Sequence, residues 1–338
     1  TTAGGFMAAS TTDFIQSIVM TIAIFTVLIF ATVKAGGIGA VSENIKTLPG
    51  FLSFTETFSA ETGSGAPYTL LMIITTMSWG LGYFGMPHIL LRFMAIKDEK
   101  KLKLSRRVAS VWVVIAMGLA MLIGLVGRAL SMQGTVATLE GNDTETILVK
   151  IANLLSSYGI LPALLAGIAL AGILACTMST ADSQLLAASS SVSQNILQEG
   201  FGIKLSEKKS MIIARLTVIC VAILGVVIAS DPDSSIFGVV SFAWAGFGAA
   251  FGPIVILSLY WKRTNFAGAL AGMITGGAMT IIWKFLIKPM GGIWGVYELL
   301  PAFLCGLIVA VVVSLLTKAP SQEMLDEFEE VRGKGEIA

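Results

Sequence analysis

The residues of this 338-residue chain that could do chemistry are few and mostly uncharged. Cys176, Ser179, Thr180 and Ser183 recur at i, i+3, i+4 and i+7, so on a helix they form one narrow stripe. Hydroxyl oxygens and a backbone carbonyl are hard, neutral donors. That set suits a weakly held Na+ by the logic of oxygen-ligated cations. The same hydroxyls also serve as hydrogen-bonding glue between helices, so the stripe admits two readings. Asp182 lies beside them and reads as the single acid well inside an apolar segment. An acid there costs about 2.5–3.5 kcal/mol on insertion scales and is a functional candidate by default. It could neutralise a cation, relay a proton or pair with a basic group.

A second constellation lies in MSWGLGYFGMPH, residues 77–88. Trp79, Tyr83 and Pro87 recur every four residues, which puts them on one face of a helix. Trp and Tyr offer flat apolar area with one polar handle each, suited to a small amphipathic ligand. Gly80, Gly82 and Gly85 surround them. Glycine weakens a helix by about 1 kcal/mol relative to alanine and proline by about 3 kcal/mol. Pro87 also removes a backbone donor and blocks the bond to the Tyr83 carbonyl. In lipid such a break survives only where protein, water or ligand takes up the freed groups. Discontinuous helices of this kind build solute and ion sites in secondary transporters. A kinked helix with glycines for close packing is the other reading of this stretch.

These residues must be positioned by membrane helices. The composition is 55% hydrophobic and 13% charged, against about 25% charged in soluble domains. Eight continuous apolar segments are predicted at about 14–35, 68–94, 108–131, 160–192, 211–230, 236–261, 266–287 and 294–317. Each is long enough for a bilayer core of roughly 30 Å. The fold class is therefore an all-α polytopic membrane protein, and continuous rather than alternating apolarity argues against a β-barrel. Sixteen of the 22 lysines and arginines fall in one set of connections, with Lys34, Lys46, Arg128, Lys150, Lys284 and Lys288 opposite. Basic connections stay inside. The C-terminal tail, 318–338, is then cytoplasmic, and its acids suggest a solvated helix or an irregular end. The chain opens Thr-Thr-Ala-Gly-Gly without methionine. Residues 1–13 read as the tail of a preceding helix and a short cytoplasmic turn, so further N-terminal helices are expected. Residues 14–317 form the transmembrane domain.

Several function classes drop out. The net charge of +1 gives no footprint for nucleic acid. One histidine and three scattered cysteines make no zinc site, and Cys176, Cys220 and Cys305 read as small buried hydrophobes. The chain contains no HExxH, no GxSxG and no paired intramembrane acids, which speaks against a membrane enzyme. The Gly-rich SFAWAGFGAAFGP, residues 241–253, reads as a close helix contact or as a moving gate.

WGLGYFGMPHILLRFMAIKD (79–98), MSTADSQLLAASSS (178–191), SFAWAGFGAAFGP (241–253) and GALAGMITG (268–276) together resemble the solute:sodium symporters, nearest to those for proline. The resemblance covers essentially the whole chain. It implies an inverted-repeat, leucine-transporter-like fold, truncated here. The second repeat would span about 68–261, and residues 266–317 would be extra helices. It also implies Na+-coupled uptake of L-proline by alternating access, in the bacterial inner membrane. Trp79, Tyr83 and Pro87 would shape the solute site. Ser179 and Thr180 would give side-chain oxygens to Na+, and Cys176 its backbone carbonyl. The remaining Na+ ligands would come from the missing N-terminal helices. Asp182 and Ser183 stay candidates for coupling, with no role implied by the resemblance. Rival readings are Na+ symport of another small solute, such as pantothenate, and a symporter-like sensory membrane domain.

Overall fold

A computed structural model describes residues 5–59, 62–230 and 235–336. In chain order its elements begin with α1 (Gly5–Lys34), α2 (Gly37–Lys46), the strands β1 (Glu56–Ser59) and β2 (Ser64–Pro67), α3 (Leu70–Ser78) and α4 (Pro87–Met94). There follow α5 (Leu102–Met132), α6 (Ile147–Ser156), α7 (Ile160–Ser190), α8 (Glu207–Ala229) and α9 (Ile236–Tyr260). The last are α10 (Phe266–Ile282), α11 (Leu299–Leu316) and α12 (Gln322–Glu336). Among the described residues, seven helices are long and apolar enough to cross a bilayer. The pair 70–85 and 87–94, bent by 49°, makes eight when counted as one span. Each predicted segment has its counterpart. The outward faces of α5 and α8 expose Val111, Val114, Met121, Ile223 and Val226. This is surface for lipid, and the chain is a multi-pass all-α membrane protein with one antiparallel hairpin, β1–β2.

Two expectations are corrected here. Residues 5–13 do not form a tail and a turn, because α1 runs unbroken from Gly5 to Lys34. The polar run is absorbed by the helix itself: the Thr12 hydroxyl donates to the carbonyls of Ala8 and Ala9 at 3.0 and 2.9 Å. Residues 1–4 lie outside the described residues. The final span begins at Leu299 rather than 294, because Val296 is extended, with φ −57° and ψ 146°, and interrupts the helical ladder after a short 3-10 turn over Gly292–Gly295.

The described chain divides into two compact units, residues 1–67 with 103–234, and residues 68–102 with 235–338. In the first, α1, α5, α6 and α7 close around a core of Val27, Ala31, Ile123, Leu130, Ile151 and Leu155. Small residues let α1 and α7 meet: a Cβ on Gly172 would lie 2.5 Å from Ala23 Cβ. Half-buried polar bonds tie α5 to the end of α1 and to α2. The Gln133 carboxamide donates to the Ala35 carbonyl at 2.8 Å, and Arg128 donates to Asn44.

In the second unit α9, α10 and α11 pack through small residues. Gly268, Gly272 and Gly276 on α10 face Ala302, Gly306, Ala310 and Ser314 on α11, all buried. With lipid as apolar as leucine, such close approach is what holds membrane helices together. Pro253 sits inside α9 and cannot bond the carbonyl four residues before it, that of Ala249. A Cβ on Gly276 would fall 2.1 Å from that oxygen, so only glycine allows α10 to lie against it. The Asn265 carboxamide then locks the base of the unit. It accepts from Gly268 N at 2.9 Å as the N-cap of α10, and donates to the Lys318 carbonyl at 2.7 Å and to Thr317 Oγ1 at 2.8 Å.

Candidate functional site

The helix break lies where the sequence places it, in the second unit. Thr69 caps α3, accepting from Met72 N at 3.3 Å. After Ser78 the chain tightens into a 3-10 helix over Trp79–Gly85. Met86 is extended, with φ −77° and ψ 112°, as the residue before a proline is driven to be. Pro87 then opens α4 at its first position, where a missing N–H costs nothing. The Trp79 carbonyl is taken up by Trp244 of α9, whose indole Nε1 donates to it at 3.0 Å.

The shared face expected of Trp79, Tyr83 and Pro87 does not form. It rests on a turn of 3.6 residues, and a 3-10 turn has about three. Residues four apart are then offset by about 120°, and Pro87 begins a new axis. Trp79 and Tyr83 meet instead through Trp244. Trp79 stacks on it at 5.6 Å and Tyr83 meets it edge-on at 4.8 Å. Trp79 is also stacked near Phe237 at 5.5 Å and Tyr297 at 5.7 Å. Its ring is half-buried among protein rings, whereas Tyr83 is 50% exposed. Of Trp79 and Tyr83, Tyr83 is the more available to a ligand.

The three glycines divide. A Cβ on Gly82 would meet the Trp244 indole at 1.9 Å, and one on Gly85 the Phe247 carbonyl at 2.4 Å. On α9, a Cβ on Gly248 would meet Gly82 Cα at 2.7 Å. These glycines are buried contact surface, the closer-packing reading of both this stretch and residues 241–253. Gly80 is exposed, with nothing within 4 Å of a Cβ there.

The polar stripe lies on α7 in the first unit. Cys176, Ser179, Thr180, Asp182 and Ser183 all fall on one continuous helix. Ser183 is buried, Ser179 and Asp182 are half-buried, and Cys176 and Thr180 are exposed. The reading of the three cysteines as buried is thus corrected, since Cys176 and Cys220 are exposed and Cys305 is intermediate. They occupy outward turns of apolar helices, and a thiol is apolar enough for that. Ser179 Oγ donates to the Cys176 carbonyl at 3.1 Å, and Ser183 Oγ donates to the Ser179 carbonyl at 3.1 Å. With its proton directed at Cys176, the Ser179 oxygen keeps its lone pairs for an electron-poor partner.

Sequence reasoning missed four groups. Asp13 is inside α1, with Oδ1 buried, so Asp182 is not the single intramembrane acid. Gln16, one turn on, has a buried Oε1 with no hydrogen-bond partner among the described residues. The run STTD, residues 10–13, carries the signal for Asp13, but its residue types suggest a turn, whereas Gln16 falls inside the predicted segment 14–35. Tyr297 and Glu298 lay unnoticed at the start of a predicted apolar span. Tyr297 is buried, and its hydroxyl donates to the Ser241 carbonyl at 2.5 Å. Burial pushes its phenol above the usual range and the Glu298 carboxylate adds to the rise, so it remains a neutral donor. Glu298 is 2% exposed and is paired with Lys288 at 2.8 Å.

Comparison with known proteins identifies the family. The sodium:solute symporter family model matches residues 1–276. The chain is 40% identical over 325 residues to the high-affinity proline transporter PutP of Bacillus subtilis, covering 96% of this chain and 64% of the relative. It is 39% identical over 320 residues to the osmoregulated proline transporter OpuE of the same organism, covering 94% and 61%. It is 39% identical over 335 residues to sodium/proline symporter 2 of Staphylococcus saprophyticus, covering 97% and 62%. The chain thus spans about three fifths of the length of the curated relatives it matches. A membrane bundle with an interrupted helix, a hydroxyl stripe and a family match over most of its length leads to one conclusion: the chain belongs to the sodium:solute symporter family.

Proposed function

We propose that this chain carries out its part of Na+-coupled uptake of L-proline, as a secondary transporter and not an enzyme. The observation that carries the reading is the conjunction, within one family member, of the break at residues 79–86 and the hydroxyl stripe on α7. The printed names of the relatives supply the solute, proline. Cys176 (through its carbonyl), Ser179 and Thr180 are assigned to Na+, with further ligands from elsewhere in the protein. Tyr83, Pro87 and the edge of Trp79 are assigned to the solute. Asp182 and Ser183 stand beside the ion as coupling candidates. The protein works in the bacterial plasma membrane with its C-terminus inside, which the lysine and arginine distribution supports. The leucine-transporter-like inverted repeat, with residues 68–261 as its second half, is part of the same reading. Na+ raises proline affinity, and by reciprocity proline raises Na+ affinity by the same factor. Rocking of one group of helices against another then opens the loaded site inward.

Radiolabelled proline uptake by the complete gene product in membrane vesicles tests this. Uptake should require Na+. Losing one oxygen ligand in Ser179→Ala or Thr180→Ala should raise the half-saturating Na+ concentration about tenfold. Cys176→Ser should leave it near wild type, since a backbone carbonyl survives the change. Na+-independent uptake by the wild type would sink the assignment of the ion.

A further inference from the structure

We propose that Tyr297 is a positioning residue for the helix break, a post that sets the geometry of residues 79–86 and so the affinity for solute. This rests on the reading that those residues contact the solute. Tyr297 reaches three places in the second unit. Its ring stacks beside Trp79 at 5.7 Å, its hydroxyl donates to the Ser241 carbonyl on α9 at 2.5 Å, and its N–H donates to Thr75 Oγ1 on α3 at 3.4 Å. One turn after Ser241, Trp244 donates from its indole to the Trp79 carbonyl at 3.0 Å. The four residues therefore close a circuit: Trp79 to Trp244, along α9 to Ser241, to Tyr297, and back to Trp79.

The circuit matters because of what the break lacks. A continuous helix holds its direction by its own backbone ladder, and here that ladder is interrupted between residues 79 and 87. Side contacts must then fix the angle. The loop that carries Tyr297 is itself held. Lys288 pairs with buried Glu298 at 2.8 Å, and Trp283 Nε1 donates to the Val296 carbonyl at 3.2 Å. Tyr297 is 7% exposed, so it acts on the break from behind and does not touch solute.

Tyr297→Phe keeps the ring and removes only the bond to Ser241. In the complete gene product the KM for proline should rise about fivefold, the worth of one such bond, with the maximal rate within about twofold of wild type. Amide hydrogen exchange across residues 79–86, followed by mass spectrometry, should quicken about threefold or more. Thr75→Val, which removes the weaker anchor, should move both readouts the same way by about twofold, and it stands in should Tyr297→Phe fail to fold. A merely structural tyrosine would lower the amount of folded protein and leave KM alone. Unchanged exchange in the folded variants overturns the proposal, as does faster exchange with an unchanged KM. If the wild type takes up no proline, the solute reading fails while the exchange experiment still decides the post.

Discussion

The close approach of the break to α9 makes Gly82→Ala a sharp perturbation. The added methyl would lie 1.9 Å from Trp244 Nε1 and 2.3 Å from Cδ1. The indole cannot swing aside freely, since it is bonded to the Trp79 carbonyl and stacked on the Trp79 ring. Overpacking of this kind costs about 1–3 kcal/mol. Shifting the indole also breaks its hydrogen bond, leaving a donor and a carbonyl unmatched at about 1–3 kcal/mol. Alanine returns about 0.5–1 kcal/mol of the backbone freedom that glycine loses on folding. The net is roughly 1–5 kcal/mol of destabilisation. A fluorescence melt of detergent-purified protein should show the midpoint fall by roughly 2–20 °C, at about 2–4 °C per kcal/mol. Gly80→Ala, two residues away, is the internal control. Nothing lies within 4 Å of its new methyl, so its midpoint should hold or rise slightly. Equal midpoints for the two variants would refute the argument, because it would mean the glycines serve the break by conformational freedom alone.

Asn265→Ala should lower the melting midpoint as well, since it removes the N-cap of α10, worth about 0.5–2 kcal/mol, together with the ties to Thr317 and Lys318. Asn265→Asp should recover the cap but not those ties, and a melt of the three proteins side by side checks the order. Tyr297 predicts an alkaline effect. Its folded pKa lies above the ordinary value of 10.0, so its stabilising contribution is complete below that value and is lost as pH rises through the folded one. Melting midpoints at about pH 10–11 should fall less in Tyr297→Phe than in wild type, because phenylalanine has no proton to lose.

The sequence by itself determined the membrane class, the approximate places of the spans and the place of the break. All three follow from local properties. An apolar run of sufficient length must cross lipid, and Pro87 must drive Met86 to extended backbone whatever surrounds it. The hydroxyl stripe on α7 was legible for the same reason, because the i, i+3, i+4 spacing is a property of any helix. The tertiary structure decided what each residue touches. Whether Gly82 and Gly85 loosen the chain or admit a neighbour depends on α9, some 160 residues away in sequence, and the answer is a neighbour. Whether Trp79 and Tyr83 share a face depends on the turn being 3-10 rather than α. Asp13 was hidden because threonine, serine and aspartate resemble turn formers until the Thr12 hydroxyl is seen bonded back onto α1. Tyr297 carried no local signal at all. Its importance comes from Thr75, Trp79 and Ser241 converging on it from two separate helices and the 3-10 turn, and convergence is a property of packing that no window of sequence contains.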